Sequence, residues 1–287
     1  MKRSAGVLMP ISSLPSKYGI GTLGKGARDF IDFLEKSGQT YWQVLPIGPT
    51  GYGDSPYQSF SSNAGNPYFI DLDDLCDEGY LEKEEYVNEN YGTDVNCVDY
   101  AQIYNTRFTV LRKAVERLSA VQPEDYLSFL RDNAYWLNDY ALFMAEKDDH
   151  KGQAYTTWEE DIRKHDTKTL ENERVRLQKN VEFYLGLQYF FFHQWKKMRE
   201  YGRKHGVYLI GDVPIYVSPD SSDIWGNPEL FQLDEDMKPT GVAGCPPDAF
   251  SADGQLWGNP LYNWDKMKDD DYTWWVNRVR YQFEFKN

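Results

Sequence analysis

Asp212 is the residue whose position most clearly indicates chemistry. It lies near the end of the apolar run VYLIGDVPIY, residues 207–216, which predicts a buried strand. Burying an unpaired carboxylate is costly, so Asp212 must meet a cation, hydrogen-bond donors or a ligand. Carboxylates at the ends of barrel strands tend to belong to binding or active sites. We therefore expect Asp212 to contact a ligand, and a structural ion pair is the alternative.

A segment rich in glycine, proline, rings and hydroxyls, residues 48–75, directly follows the predicted strand YWQVLPI. Among its residues, Tyr52, Ser55 and Tyr57 offer aromatic faces and a hydroxyl beside tight turns. A tyrosine ring can stack on a pyranose ring while nearby hydroxyls bond the sugar oxygens. The segment is therefore a candidate sugar-binding loop. Alternatively, its tyrosines simply pack against the rest of the protein.

A second candidate loop follows the strand that carries Asp212. It contains Asp248 in GCPPDAFS and Trp257 in GQLWGNPLYNW, and residues 216–265 show neither helical nor strand periodicity. Long irregular loops are usually functional or disordered, and the many rings here favour order and function. We expect Asp248 and Trp257 to fold over a sugar. The alternative is that Asp248 caps a turn and Trp257 is buried beneath the loop.

The elements that would position these loops begin with a β-turn-α-β pattern. Strands are predicted at 6–11, 41–47 and 207–216, with an amphipathic helix between the first two that ends before Gly38. This pattern opens a parallel α/β fold. Between the second and third strands lie about 160 residues, whereas one βα unit of a barrel takes roughly 30.

The long stretch between these strands has apolar stripes at helical spacing, which predicts a large helical insertion after strand two. Three segments follow from this interpretation. The first segment, 1–75, holds the first two βα units and the substrate loop. The second, 76–180, is the helical insertion. The third, 181–287, holds the third βα unit with its long loop and a final helix.

The amino-acid composition limits the classes of binding partner that we expect. The chain of 287 residues has 31 Lys and Arg against 45 Asp and Glu, a net charge of −14, and 16% aromatic residues. Nucleic acids and anionic membranes are bound through clustered basic residues, so neither is expected, whereas rings suit neutral stacking ligands. The three cysteines and four histidines have no metal-ligand spacing, and we expect no metal. No signal-like or membrane-length apolar run is present, so we expect a cytoplasmic protein.

The longest motifs resemble one enzyme family. They are SLPSKYGIGTLG, YWQVLPIGPTGYGDSPYQSFSSNAGNPYFIDL, WLNDYALFMAEK, GDVPIYVSPDSSDIW and VAGCPPDAFSADGQLWGNPLYNW. In this order they are similar to the amylomaltases, the 4-alpha-glucanotransferases of the alpha-amylase clan. The resemblance implies a (β/α)8 TIM barrel, alpha-1,4-glucan and maltooligosaccharide substrates, a retaining double displacement and no cofactor.

The same resemblance implies a role for each candidate residue. Tyr57 matches the ring beside the cleavage subsite, Asp212 an aspartate lining it, and Tyr52 a residue of a secondary glucan-binding groove. Asp248 and Trp257 match the loop that covers the acceptor side.

The family's nucleophile, acid/base and third carboxylate match no residue of this sequence. We therefore expect only about the first three βα units here, no catalytic residue, no activity of the chain alone, and self-association through an unclosed barrel edge. A non-catalytic glucan-binding remnant is one alternative. An acidic α/β interaction protein without a sugar ligand is another.

Overall fold

Three short parallel strands form the main sheet of the protein. A computed structural model describes residues 3–51, 53–94 and 96–283. The strands lie in the order β1–β2–β3, and they are β1 (Gly6–Leu8), β2 (Tyr41–Gln43) and β3 (Tyr208–Ile210). This arrangement confirms the three predicted parallel strands. Each strand is shorter than its apolar run, because Pro10, Pro46 and Pro214 lack the N–H group that a ladder requires.

Eleven helices lie among the remaining described residues. They are α1 (Lys25–Lys36), α2 (Leu72–Asp77), α3 (Tyr100–Val121), α4 (Glu124–Asp132), α5 (Ala134–Asp149), α6 (Glu160–Arg163), α7 (Thr167–Arg176), α8 (Gln178–Lys204), α9 (Ser222–Gly226), α10 (Trp264–Lys268) and α11 (Thr273–Tyr281). Short 3-10 turns occupy Ile11–Ser13, Pro67–Phe69, Lys83–Glu85, Tyr155–Thr157 and Pro228–Leu230. In the described residues, no helix is long and apolar enough to cross a membrane.

The stretch between β2 and β3 contains α2 to α8. Helix α8, the longest at 27 residues, contacts α1, α3, α5 and β3. The predicted end of the first helix before Gly38 is confirmed, and Gly38 and Gly206 follow α1 and α8 with φ of +70° and +69°. Left-handed backbone of this kind suits glycine, which has no Cβ to clash. Helix α8 thus returns the chain to the sheet beside β2.

Two hydrophobic cores hold these elements. The larger one joins the sheet to the helices and includes Trp42, Leu111 and Phe190. The smaller one lies around Phe143 and Trp225 and receives rings from the chain after β3. Residues of all three predicted segments share the larger core. The division of the chain into those segments stays a prediction.

The stretch 216–265, predicted to be irregular, contains an antiparallel hairpin. Its strands are β4 (Val242–Cys245) and β5 (Gln255–Pro260), with a register shift between Val242 and Gly244. Buried and exposed positions do not alternate along either strand, so the sequence shows no period-two pattern there. The prediction that this stretch contains neither strand nor helix was therefore wrong for these ten residues and for α9.

Helix α11 buries a different face from the one its apolar residues predicted. Val279 and Phe283 are exposed, and Trp275 is partly buried against the smaller core. The most buried side chains are Arg278 and Tyr281. A buried arginine contradicts the simple rule that charged residues face solvent, and its contacts matter for the site.

Candidate functional site

Tyr57 and Asp212 meet beside the carboxyl ends of β2 and β3. The Tyr57 hydroxyl donates a hydrogen bond of 2.6 Å to Asp212 Oδ2, although 155 positions separate the two residues. Both follow neighbouring parallel strands, and such strand ends share one edge of a sheet. The hydrogen bond to Asp212, together with burial and the negative charge, raises the pKa of Tyr57 to about 12. The phenol is therefore a stable donor at neutral pH.

A cleft of about 420 Å³ lies next to this pair. Its other walls include Gly48, Ser59 and Tyr216 and the buried Arg278. The lining combines hydroxyl, amide and aromatic groups with a single cationic side chain: Pro46, Ile47, Gly48, Pro56, Tyr57, Ser59, Ser61, Ser62, Asp212, Val213, Pro214, Tyr216, Val217, Ser218, Arg278 and Gln282. Among the described residues that line it, Asp212 is the one carboxylate. Such a surface suits a neutral polyhydroxylated ligand better than a charged one.

The other two residues predicted from the first loop are Ser55 and Tyr52. Ser55 shapes the turn, because its hydroxyl accepts the Tyr57 N–H at 3.3 Å and its carbonyl accepts the Gln58 N–H at 3.1 Å. Ser55 thus supports Tyr57 instead of lining the cleft. Tyr52 lies outside the described residues. Its neighbours Gly51 and Gly53 border a separate groove of about 1670 Å³. The rings of that groove are those of Phe60, Tyr68, Tyr100, Tyr104, Phe108, Tyr140 and Tyr184.

The β4–β5 hairpin carries the other two predicted residues. Asp248 Oδ1 accepts the backbone N–H groups of Phe250 and Ser251, each at 2.8 Å, so Asp248 caps the hairpin loop. This is the local role given above as the alternative. Trp257 is not buried, since 42% of it is exposed, and its ring centre lies 6.4 Å from that of Tyr216. Of the two, Trp257 faces toward the cleft.

Asn259 attaches the hairpin to the cleft walls. Its side chain donates a 2.7 Å hydrogen bond to the Val217 carbonyl and accepts one of 3.4 Å from Gln58. Sequence reasoning missed Asn259 and Tyr216, which no spacing distinguishes from neighbouring loop residues. It also missed Arg278, although Trp274, Arg278 and Tyr281 have the spacing of one helix face.

One cluster elsewhere could be mistaken for a metal site. Glu146, Asp149 and His150 place ligand atoms within 4.8 Å of one another, at the end of α5. However, Arg176 Nη2 lies 2.9 Å from Asp149 and 3.7 Å from Glu146, between the carboxylates. The arginine already supplies the positive charge that a metal would bring.

In TIM-barrel-type proteins the functional site lies at the carboxyl ends of the parallel strands, where this cleft also lies. Comparison with known proteins agrees and is more specific. The family model for 4-alpha-glucanotransferases, glycoside hydrolase family 77, matches residues 9–287. The chain belongs to this family, as the motifs predicted.

Relatives are similar along nearly the whole chain. The 4-alpha-glucanotransferase of Clostridium butyricum is 48% identical over 273 residues, which are 95% of this chain and 56% of that protein. The Thermus thermophilus 4-alpha-glucanotransferase is 44% identical over 288 residues, 99% of this chain and 57% of that protein. The chain thus spans a little over half the length of these relatives.

Solved structures confirm the fold. An amylomaltase from Streptococcus agalactiae, in complex with acarbose, aligns with a TM-score of 0.93 and 44% identity over 97% of this chain and 57% of its own. An amylomaltase from Corynebacterium glutamicum aligns with a TM-score of 0.74 at 19% identity, over 97% of this chain and 39% of its own, which shows the fold alone. The fold is therefore the TIM-barrel type of the family.

Proposed function

We propose that this chain forms a glucan-binding part of a 4-alpha-glucanotransferase that acts on alpha-1,4-glucans and maltooligosaccharides by a retaining double displacement. The observation that carries the proposal is the Tyr57–Asp212 pair at the strand ends, in a cleft whose other lining residues are neutral apart from the buried Arg278. In this proposal, Tyr57 and Asp212 bind the sugar ring at the cleft. Trp257 extends the binding surface on the side of Tyr216.

Asp212 and Asp248 are proposed to bind or to shape loops, and neither acts as nucleophile or proton donor. Retaining glycosidases use two carboxyl groups about 5–5.5 Å apart. Asp212 is the one carboxylate lining the cleft among the described residues, and it already accepts a hydrogen bond from Tyr57. A polypeptide of these 287 residues should therefore bind glucan without transferring it.

Incubation with maltotriose tests this part of the proposal. The purified polypeptide should produce neither glucose nor longer maltooligosaccharides above a protein-free blank. Steady turnover would show that the cleft holds a complete catalytic set. The second candidate function, a glucan-binding protein without chemistry, is favoured by the same single-carboxylate cleft, and it predicts binding with no turnover under any condition.

Fluorescence titration with maltoheptaose tests binding. An indole that stacks on a sugar contributes about 0.5–1.5 kcal/mol, so Trp257→Ala should weaken binding about two- to tenfold. Trp264→Phe is a matched control, because Trp264 is an exposed tryptophan of the same region that does not line the cleft. If the parent gives no signal at tens of millimolar sugar, the binding proposal fails.

The groove beside Gly51 and Gly53 is proposed to hold a second stretch of glucan. Tyr52, which lies outside the described residues, stays a proposed residue of a secondary glucan-binding groove. Several rings and the carboxylates of Asp54 and Asp148 line it, which suits a chain of stacked, hydroxylated units. Tyr104 is half-exposed there. Tyr104→Ala should weaken the binding of maltoheptaose more than that of maltotriose, as measured by calorimetry. An equal effect on both sugars would place the second site elsewhere.

Self-association is also proposed for the isolated polypeptide. Strand β3 pairs with β2 on one side, and Tyr208, Ile210 and Ile215 are exposed. An apolar strand edge tends to recruit other chains. Light scattering after size-exclusion chromatography should show a mass that rises with protein concentration. A concentration-independent monomer would refute this.

A further inference from the structure

Arg278 is a buried cation beside the cleft. Only 3% of it is exposed, and within the described residues no carboxylate oxygen lies within 4.0 Å of its guanidinium. Burying an arginine is costly unless its donors are satisfied. Two of its nitrogens donate to neutral groups, whereas Nε has no hydrogen-bond partner among the described residues. The arrangement therefore points to a specific task for Arg278.

Its hydrogen bonds converge on the chain that follows Asp212. Nη2 donates to the Pro214 carbonyl at 2.5 Å, and Nη1 donates to the Tyr262 hydroxyl at 2.9 Å. Tyr262 in turn donates to the Ile215 carbonyl at 2.8 Å. The hydrogen bonds of Arg278 and Tyr262, which together form the Arg278 relay, thus hold two consecutive carbonyls. These are the carbonyls of Pro214 and Ile215, two and three residues after Asp212. This segment lies outside any helix or strand, so it lacks regular backbone bonds of its own.

Stacking fixes the relay in place. The guanidinium carbon lies 5.2 Å and 4.9 Å from the ring centres of Trp274 and Trp275, within the range of cation–π contact. Tyr262 stacks on Tyr216, with ring centres 5.7 Å apart and planes at 16°. Tyr216 lines the cleft. The relay therefore sets both the backbone after Asp212 and one aromatic wall.

We propose that Arg278 is a positioning residue for the Tyr57–Asp212 pair, acting through Pro214, Tyr262 and the backbone between them. The importance of this position for glucan binding rests on the proposed function. The positioning itself rests only on the contacts above. Loss of Arg278 should let the 212–216 segment move and should separate Asp212 from the Tyr57 hydroxyl.

The Tyr57 phenol provides a readout that a general loss of stability would not mimic. With tyrosine labelled at Cζ, NMR can follow each phenol between pH 8 and 11, and Tyr57→Phe identifies the resonance. In the parent, Tyr57 should stay protonated through this range, consistent with a pKa of about 12. In Arg278→Met, it should ionise near the ordinary value of about 10. Circular dichroism at each pH confirms that the protein is folded.

Three further variants sharpen the test. Arg280→Met is the matched control, because Arg280 is an exposed residue of the same helix and, among the described residues, bonds only Asn277. Arg278→Lys keeps the charge and one donor, so it should restore part of the parent behaviour. Tyr262→Phe removes a single hydroxyl and serves if Arg278→Met does not fold. It should lower the pKa of Tyr57 as Arg278→Met does, but by a smaller amount.

Maltoheptaose affinity, measured in parallel, separates this inference from the proposed function. A tenfold or greater loss of affinity in Arg278→Met, together with the change in Tyr57 ionisation, supports both the positioning role and the proposed function. If the ionisation of Tyr57 changes in Arg278→Met but the parent binds no sugar, the positioning role is supported and the proposed function is overturned. If Tyr57 titrates identically in the parent, Arg278→Met and Tyr262→Phe, the positioning role is wrong.

Discussion

Replacing Glu146 with glutamine tests how a buried carboxyl group couples the stability of this protein to pH. Glu146 lies in the last turn of α5 with a fully buried side chain, and neither carboxyl oxygen has a hydrogen-bond partner. Its nearest cations are His150 at 3.5 Å and Arg176 at 3.7 Å. Asp149 and Glu173 both bond to that arginine. Burial, followed by repulsion from Glu173, raises the pKa of Glu146 from 4.5 to about 7.

The sign of the effect follows from proton binding. The folded state binds this proton more tightly than the unfolded state, so the free energy of unfolding falls as pH rises from about 4.5 through 7. The difference between those two values corresponds to about 3 kcal/mol at most. Glutamine has the shape of the protonated acid and never ionises. Between pH 5 and pH 8, the free energy of unfolding of Glu146→Gln should therefore rise by about 2–3 kcal/mol relative to that of the parent.

Urea unfolding at pH 5 and pH 8 measures this difference. Glu171→Gln is the control, because Glu171 is an exposed glutamate on α7. Its stability should follow that of the parent at both pH values. Parallel pH dependence of the parent and Glu146→Gln would refute the reasoning. In that case His150 and Arg176 would already compensate the buried charge fully.

Three further outcomes are expected. Tyr57→Phe removes the hydrogen bond to Asp212 and should weaken maltoheptaose binding about two- to tenfold in a fluorescence titration, with little change in stability. Arg107→Met leaves two buried backbone carbonyls without their donor and should lower the free energy of unfolding in urea by about 2–4 kcal/mol. Gly65→Ala places a Cβ 2.0 Å from the Phe191 ring and should cost about 1–3 kcal/mol in the same assay, whereas a neutral result would mean that the ring moves freely.

The parts of the fold that follow hydrophobic periodicity were predictable. Ala27, Ile31 and Leu34 have helical spacing, and all three are buried in α1. The meeting of Tyr57 and Asp212 was predictable for a different reason. Each follows a strand of one parallel sheet, and the carboxyl ends of such strands lie side by side. Here the topology brings distant residues together without any need to know their side-chain contacts.

The parts that depend on tertiary contacts were not predictable. Buried and exposed positions do not alternate along β4 or β5, so no alternation of apolar residues marks this hairpin. Arg278 is buried because two tryptophan rings and two oxygen-bearing partners, the Tyr262 hydroxyl and the Pro214 carbonyl, surround it. A single sequence does not show those partners, and an arginine in a helix is normally assigned to the surface.

Asp212 and Asp248 show how a structure distinguishes two aspartates that look alike in sequence. Both follow apolar strands and both precede glycine- or proline-rich loops, so each could bind a ligand. Asp248 accepts bonds only from residues two and three positions away, which is the short-range geometry of an aspartate that forms a turn. Asp212 accepts its bond from a tyrosine of another loop, at the wall of a cleft. A carboxylate whose partner is distant in sequence holds two segments in one arrangement, and this makes Asp212 the better candidate for contact with a sugar.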